Sequence, residues 1–175
     1  VGDGCALTIR AMRAAQVRRF NAPLELVDVP IPTPGQDQVL VRVRACGVCH
    51  TDLHTVHGDW PDKPLRPRIP GHEVVGEVAA VGEDVEHLAV GDRVGVAWLG
   101  RSCGRCEQCL SGWETLCSHQ IRTGYDIDGG FAEYALADAG FAVRLPDRLD
   151  YVQTAPLMCA GLTVYKGLMM SDAEP

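Results

Sequence analysis

In "VLVRVRAC", residues 39–46, Val39, Val41 and Val43 alternate with Arg42 and Arg44. A period of two is that of a strand with one face buried and one face wet. The pattern returns in "EVVGEVAAVG", "DRVGVAW", "GFAEYALA" and "FAVRLP", each short and each bounded by Gly, Pro or Asp. The cluster "PTPGQDQ" ahead of the first strong strand predicts a turn, and the glycines at 71, 76, 82, 91 and 95 punctuate the strands as the bends of a small barrel require. The first 150 residues therefore predict a mainly β domain with short helices, a partly open barrel. The period lengthens after residue 147. Ala155, Leu157, Met158, Leu162, Val164, Leu168 and Met169 fall at spacings closer to helical, predicting one or two helices with the first stopped near Gly161. Residues 1–11 form an irregular extension, and regular structure is expected from Met12 onward.

At 175 residues the chain is long enough for one core with a smaller appendage, and 46% hydrophobic with 22% charged residues excludes a disordered chain. The net charge of −7, with no block of Lys or Arg, argues against a nucleic-acid partner and for simple solubility. No apolar run approaches the roughly 20 residues that cross a bilayer, so no membrane partner is expected. The stretch "VGDGCALTIRAMRAAQV" has no long apolar core of a secretory signal. A cytoplasmic setting is expected, where the eight cysteines serve as thiols or metal ligands.

Their spacing carries the chemistry. In "CGRCEQCLSGWETLC", Cys103, Cys106, Cys109 and Cys117 are separated by two, two and seven residues. Four thiolates at such short spacings can close a tetrahedral shell around Zn²⁺. An iron–sulfur cluster also fits the first spacings, and disulfides are the plainest alternative; zinc is favoured. A closed four-cysteine shell has no open position, so its expected job is to hold the loop of residues 101–118. The stretch "CGVCHTDLH", residues 46–54, is ambiguous: Cys-x-x-Cys-His also spells a haem attachment site or a dithiol pair. Read alone, Cys159 in "PLMCAGLTVY" is a buried thiol and His72 in "PGHEVVGEV" a turn histidine.

Five motifs in one order resolve these readings. "CGVCHTDLH", "PGHEVVGEV", the four-cysteine loop, "GGFAEYA" and "CAGLTVYKGL" together resemble the medium-chain zinc-dependent alcohol dehydrogenases, from about Met12 to the end of the chain. The likeness is greatest to bacterial and yeast enzymes acting on small primary alcohols. It implies a GroES-like catalytic domain over residues 12–150, with residues 151–175 a helix leading towards a nucleotide-binding domain that these residues do not include. It also implies two zinc ions per chain: a catalytic one on Cys49, His72 and Cys159, and a structural one on the four-cysteine loop.

The resemblance assigns further roles. Glu73 visits the metal, Asp52 orients His72, and Thr51 takes the substrate proton and passes it through His54 to solvent. His50 meets the cofactor pyrophosphate and Thr163 the nicotinamide. Trp60 and Trp98 line a pocket sized for small primary alcohols, although both tryptophans also suit an ordinary core. Cys46 packs as a small hydrophobe at its strand end, and His57, His87 and His119 carry structural or surface roles. NAD is the implied cofactor and a homo-oligomer the implied assembly of the complete protein. No G-x-G-x-x-G occurs in the sequence. The chain therefore reads as the catalytic part of an alcohol dehydrogenase or, alternatively, as a non-catalytic zinc-binding interaction module.

Overall fold

A computed structural model describes residues 11–62, 64 and 66–171. The expected N-terminal extension lies outside the described residues except for Ala11, which already belongs to a strand. Five strands form one antiparallel sheet in the order β8-β3-β4-β5-β9. They are β3 (Gln38–Gly47), β4 (Glu73–Val81), β5 (Arg93–Val96), β8 (Tyr134–Asp138) and β9 (Ala142–Arg144). Each corresponds to one of the alternating segments. The fold is the mainly β, GroES-like one that the sequence predicts, with few and short helices.

Strand β4 is buried on both faces at its start, where Glu73, Val74, Val75 and Gly76 are all enclosed. Val74 and Val78 pack with Val39, Val41, Val94 and Val96 in the main core. Val75, pointing the other way, packs with Leu145, Ala155 and Met158. The bulge between Val43 and Ala45 adds curvature to β3 where it crosses β4. At Gly76, opposite Val43, a Cβ would lie 2.2 Å from the Arg42 carbonyl oxygen, so only glycine lets the two backbones approach.

Two elements were not foreseen. A hairpin of β1 (Ala11–Gln16) and β2 (Glu25–Pro30) caps the sheet and is fastened by a bridge from Ala14 to Ala132. Residues 50–57 form helix α1 (His50–His57). "HTDLHTVH" has no apolar stripe to announce a helix; its ends make it one. Asp52 at the third helical position accepts from the Cys49 backbone N–H, and Gly58 closes the helix in the left-handed region at φ 67°.

The four-cysteine loop leaves the sheet between β6 (Leu99–Arg101) and β7 (Ile121–Arg122), which pair with each other, and contains the short helix α2 (Glu107–Leu110). The C-terminal part comprises α3 (Tyr151–Thr154), a 3-10 turn over Ala155–Met158 and α4 (Ala160–Met170). The break falls at Cys159, two residues before Gly161, near which it is expected. Cys159 has φ −127° and ψ −80°, outside helical values, and Gly161 lies inside the first turn of α4. No helix among the described residues is long and apolar enough to cross a membrane.

Candidate metal centres

The geometry brings two groups of ligating atoms together, each with all its atoms within 4.8 Å of one another: Cys103, Cys106, Cys109 and Cys117, and Cys49, His72, Glu73 and Cys159. In the first, Cys103 Sγ is 3.9 Å and Cys106 Sγ 3.4 Å from Cys109 Sγ. Sulfurs at the corners of a Zn–S tetrahedron, with bonds of about 2.3 Å, stand about 3.8 Å apart, whereas a disulfide requires about 2.05 Å. All seven cysteines among the described residues are free thiols. Backbone N–H groups of Cys103 and His119 donate to Cys117 Sγ. Backbone N–H groups of Arg105 and Cys106 bring the Cys103 thiol down to about 6, in the direction of the thiolate that a metal binds.

The second group is assembled from three distant segments. Cys49 is the N-cap of α1, His72 immediately precedes β4, and Cys159 lies between the 3-10 turn and α4. Cys49 Sγ and Cys159 Sγ are 3.8 Å apart, again the edge of a zinc tetrahedron. His72 is 1% exposed, and its Nδ1 lies 3.2 Å from Asp52 Oδ1. Its Nε2 is buried and has no hydrogen-bond partner. An imidazole that gives its Nδ1 proton to a carboxylate presents Nε2 as a bare lone pair, which is costly to bury unless a cation takes it. The donor set of two thiols, one lone-pair nitrogen and one carboxylate fits Zn²⁺.

Asp52 organises this group. It is 3% exposed; Oδ2 accepts from the Cys49 N–H at 2.9 Å, and Oδ1 accepts from the Gly71 N–H at 3.0 Å while facing His72. The carboxylate thus joins the N-cap of α1 to the turn that carries His72. Burial opposes a proton on His72, yet the hydrogen bond and charge of Asp52 outweigh it and raise the imidazole pKa. Burial also opposes ionisation of Cys49, but contacts with Thr51, Cys159 and His72 bring its thiol below the usual value. The Cys159 thiol is pushed up to about 12, first by burial and then by Cys49. Glu73 is buried and shifted upward by desolvation, with its carboxylate lying over Gly47, where a Cβ would sit 1.8 Å from Oε2.

An aromatic row leads away from His72. Its ring is 5.2 Å from Trp98, Trp98 is 5.8 Å from Trp60, Trp60 is 5.4 Å from His54, and His54 is 4.8 Å from His50. Thr51, Asp52 and His54 all lie on α1, and His54 Nδ1 is held by Asp59 at 2.8 Å. His50 is exposed at the start of α1. Thr163 is exposed in the first turn of α4, where its N–H donates to the Cys159 carbonyl; its side chain is not brought into the cluster. His57 faces Asp59 and His87 Nε2 meets the Ala139 carbonyl, while the His119 ring contacts Ser118 and only its backbone N–H reaches the four-cysteine group.

One participant carried no sequence signal. Tyr125 is buried, with its ring 5.0 Å from Trp60 and 5.9 Å from Trp98 and its hydroxyl donating to the Asp62 carbonyl. Arg122 stacks on it and pairs with Asp62 and Asp126. Tyr125 and Arg122 lie more than 20 positions from Trp98, Trp60 and the cluster around His72, and no spacing relates them to it.

The family model for the alcohol dehydrogenase GroES-like domain matches residues 35–147. The chain belongs to the medium-chain zinc-dependent alcohol dehydrogenase family. It is 54% identical over 164 residues to an alcohol dehydrogenase of Moraxella sp. (strain TAE123), covering 94% of this chain and 48% of that protein. It is 56% identical over 164 residues to an alcohol dehydrogenase of Rhizobium meliloti (strain 1021), with 94% and 48% covered. Among solved structures, the cobalt- and zinc-bound thermostable alcohol dehydrogenase of Pyrobaculum aerophilum superposes with a TM-score of 0.87 at 35% identity, covering 95% of this chain and 50% of that one. The GroES-like chain thus spans about half the length of the curated relatives it matches.

Proposed function

We propose that this GroES-like domain is the catalytic part of an NAD-dependent dehydrogenase that oxidises small primary alcohols to aldehydes and catalyses the reverse reaction. The observation that carries the proposal is the unpartnered His72 Nε2 between two thiols 3.8 Å apart. Cys49, His72 and Cys159 would hold Zn²⁺ there, with Glu73 as an alternating fourth ligand; when bound, the ion supplies Lewis acidity that lowers the pKa of an alcohol hydroxyl. Asp52 keeps the His72 proton on Nδ1 and so keeps Nε2 a ligand.

Oxidation of an alcohol sends a hydride to the cofactor and a proton to solvent. Thr51, beside Cys49, accepts the proton in this reading, and His54 passes it outward because its ring is half-exposed and oriented by Asp59. Trp60, Trp98 and Tyr125 form the wall that admits an ethanol- or propanol-sized chain and excludes bulk. His50 and Thr163 are assigned to the cofactor pyrophosphate and nicotinamide. The four-cysteine site holds a second, structural Zn²⁺ that fixes residues 101–118. Residues 12–150 make up the domain proper, and residues 151–175 connect it to a nucleotide-binding domain of the complete protein. Exposed leucines and methionines on α4 favour homo-oligomerisation, and the abundance of free thiols suits a cytoplasmic setting.

The test is turnover of ethanol and propanol with NAD by the full protein that contains these residues, beside the variant His72→Ala. Zinc-dependent oxidation that is lost in His72→Ala supports the proposal. Equal rates in the two proteins would contradict it.

A further inference from the structure

Cys159 presents a positioning problem. It lies more than 80 residues from His72, and α4, which follows it, buries none of its residues. What fixes the Cys159 thiol must therefore come from the segment before it. That segment is pinned to β4, the strand that begins directly after His72.

The residue next to Cys159 is Met158, which is buried against Val75, Leu145 and Ala155. Val75 of β4 and Gly95 of β5 are paired in register. A Cβ on Gly95 would lie 2.3 Å from Met158 Sδ and 3.2 Å from its Cε. The thioether thus occupies the place of the side chain that position 95 lacks, across the Val75–Gly95 pair. Two residues along β4 from Val75, Glu77 accepts a hydrogen bond from the Tyr151 hydroxyl at 2.7 Å, and Arg93 of β5 stacks on the Tyr151 ring at 3.9 Å. These contacts lie on the same face of β4 and hold both ends of the segment Tyr151–Met158. His72 is three residues before Val75 on the same backbone. Strand β4 thereby sets the distance between the imidazole and the Cys159 thiol.

We propose that Met158, seated in the slot left by Gly95, is a positioning residue for Cys159 that determines how firmly the catalytic-type zinc is held. The inference rests on the assignment of Cys49, His72 and Cys159 as zinc ligands. A methionine is flexible enough to be displaced, but it packs with Val75, Leu145 and Ala155 in one buried cluster, so its displacement is expected to carry its neighbour Cys159 with it.

The experiment follows zinc release from the full protein into a chromogenic chelator, with Cys159→Ser and Cys103→Ser identifying the two kinetic phases. Variants are Gly95→Ala, Met158→Ala and the double variant. Each single variant is expected to speed the Cys159-dependent phase about 10- to 100-fold, the range typical of residues that support a ligand. The Cys103-dependent phase stays unchanged and certifies that the fold is intact. In Gly95→Ala/Met158→Ala the smaller side chain makes room for the added methyl, so release should be slower than the product of the two single effects. Single variants with unaltered Cys159-dependent release, or a double variant at or beyond that product, would overturn the proposal. If the wild-type protein shows no Cys159-dependent zinc, the ligand assignment itself falls, and this inference with it; if that zinc is present and the variants do not affect it, only this inference falls.

Discussion

Asp52 accepts three contacts at once: the Cys49 N–H, the Gly71 N–H and His72 Nδ1. Its effect on the metal is indirect, through the tautomer and tilt of His72 and the entry of α1. Asp52→Asn keeps the shape but removes the charge, and is expected to lower zinc retention at the Cys49 site about 10- to 100-fold in competition with a chelator, leaving the four-cysteine metal in place. Equal retention would show that Asp52 only caps the helix. Trp60 tests the pocket more cleanly than Trp98, because Trp98 also packs on His72. In Trp60→Ala, kcat/KM for hexanol relative to ethanol should rise about tenfold or more, since each methylene admitted to an apolar pocket contributes on that scale. An unchanged chain-length profile in the full protein would remove Trp60 from the pocket. At this scale the sequence was legible where spacing is diagnostic, as in Cys103 to Cys117, or where a motif resembles a known one. Tyr125 is invisible in the sequence because a single buried tyrosine has no pattern.

Elements whose apolar residues alternate were read correctly, and those defined by their ends were missed. Strands β3, β4, β5, β8 and β9 coincide with the valine- and alanine-rich alternations. Helix α1 escaped because only Leu53 and Val56 are apolar in it, so its signal lies in Asp52 and Gly58. The helical break was placed at Gly161 because glycine usually stops helices, whereas Cys159 breaks the run by its own backbone angles. The four-cysteine loop has few buried residues, so its order is expected to come from the metal that its thiols would hold: within 103–117, only Cys117 is fully buried. Stripping the metal with a strong chelator should therefore open tryptic cleavage at Arg101 and Arg105 while the far-ultraviolet spectrum of the sheet changes little. Simultaneous collapse of the sheet would show that the loop carries more of the fold than its burial indicates.

At the scale of the molecule, one antiparallel sheet gathers ligands from residues 49, 72 and 159 at the end where β4 begins, while the four-cysteine lobe stands apart on the β6–β7 ribbon. The lobe still touches the C-terminal helix through Lys166, which lies 4.6 Å from the Trp113 ring. The apolar residues of α4, including Leu162, Val164, Leu168 and Met169, are more than half exposed. The 175-residue chain carries no G-x-G-x-x-G, so on its own it should bind NAD weakly in a fluorescence titration, and tight binding would show a dinucleotide site outside that motif. Two metal sites of different purpose are expected in this chain, and elemental analysis of purified, desalted protein distinguishes them. Two zinc atoms per chain are expected in the wild type, one in Cys159→Ser and one in Cys103→Ser; a single zinc in the wild type that survives Cys159→Ser, or iron in place of zinc, would rule out the pair of zinc sites.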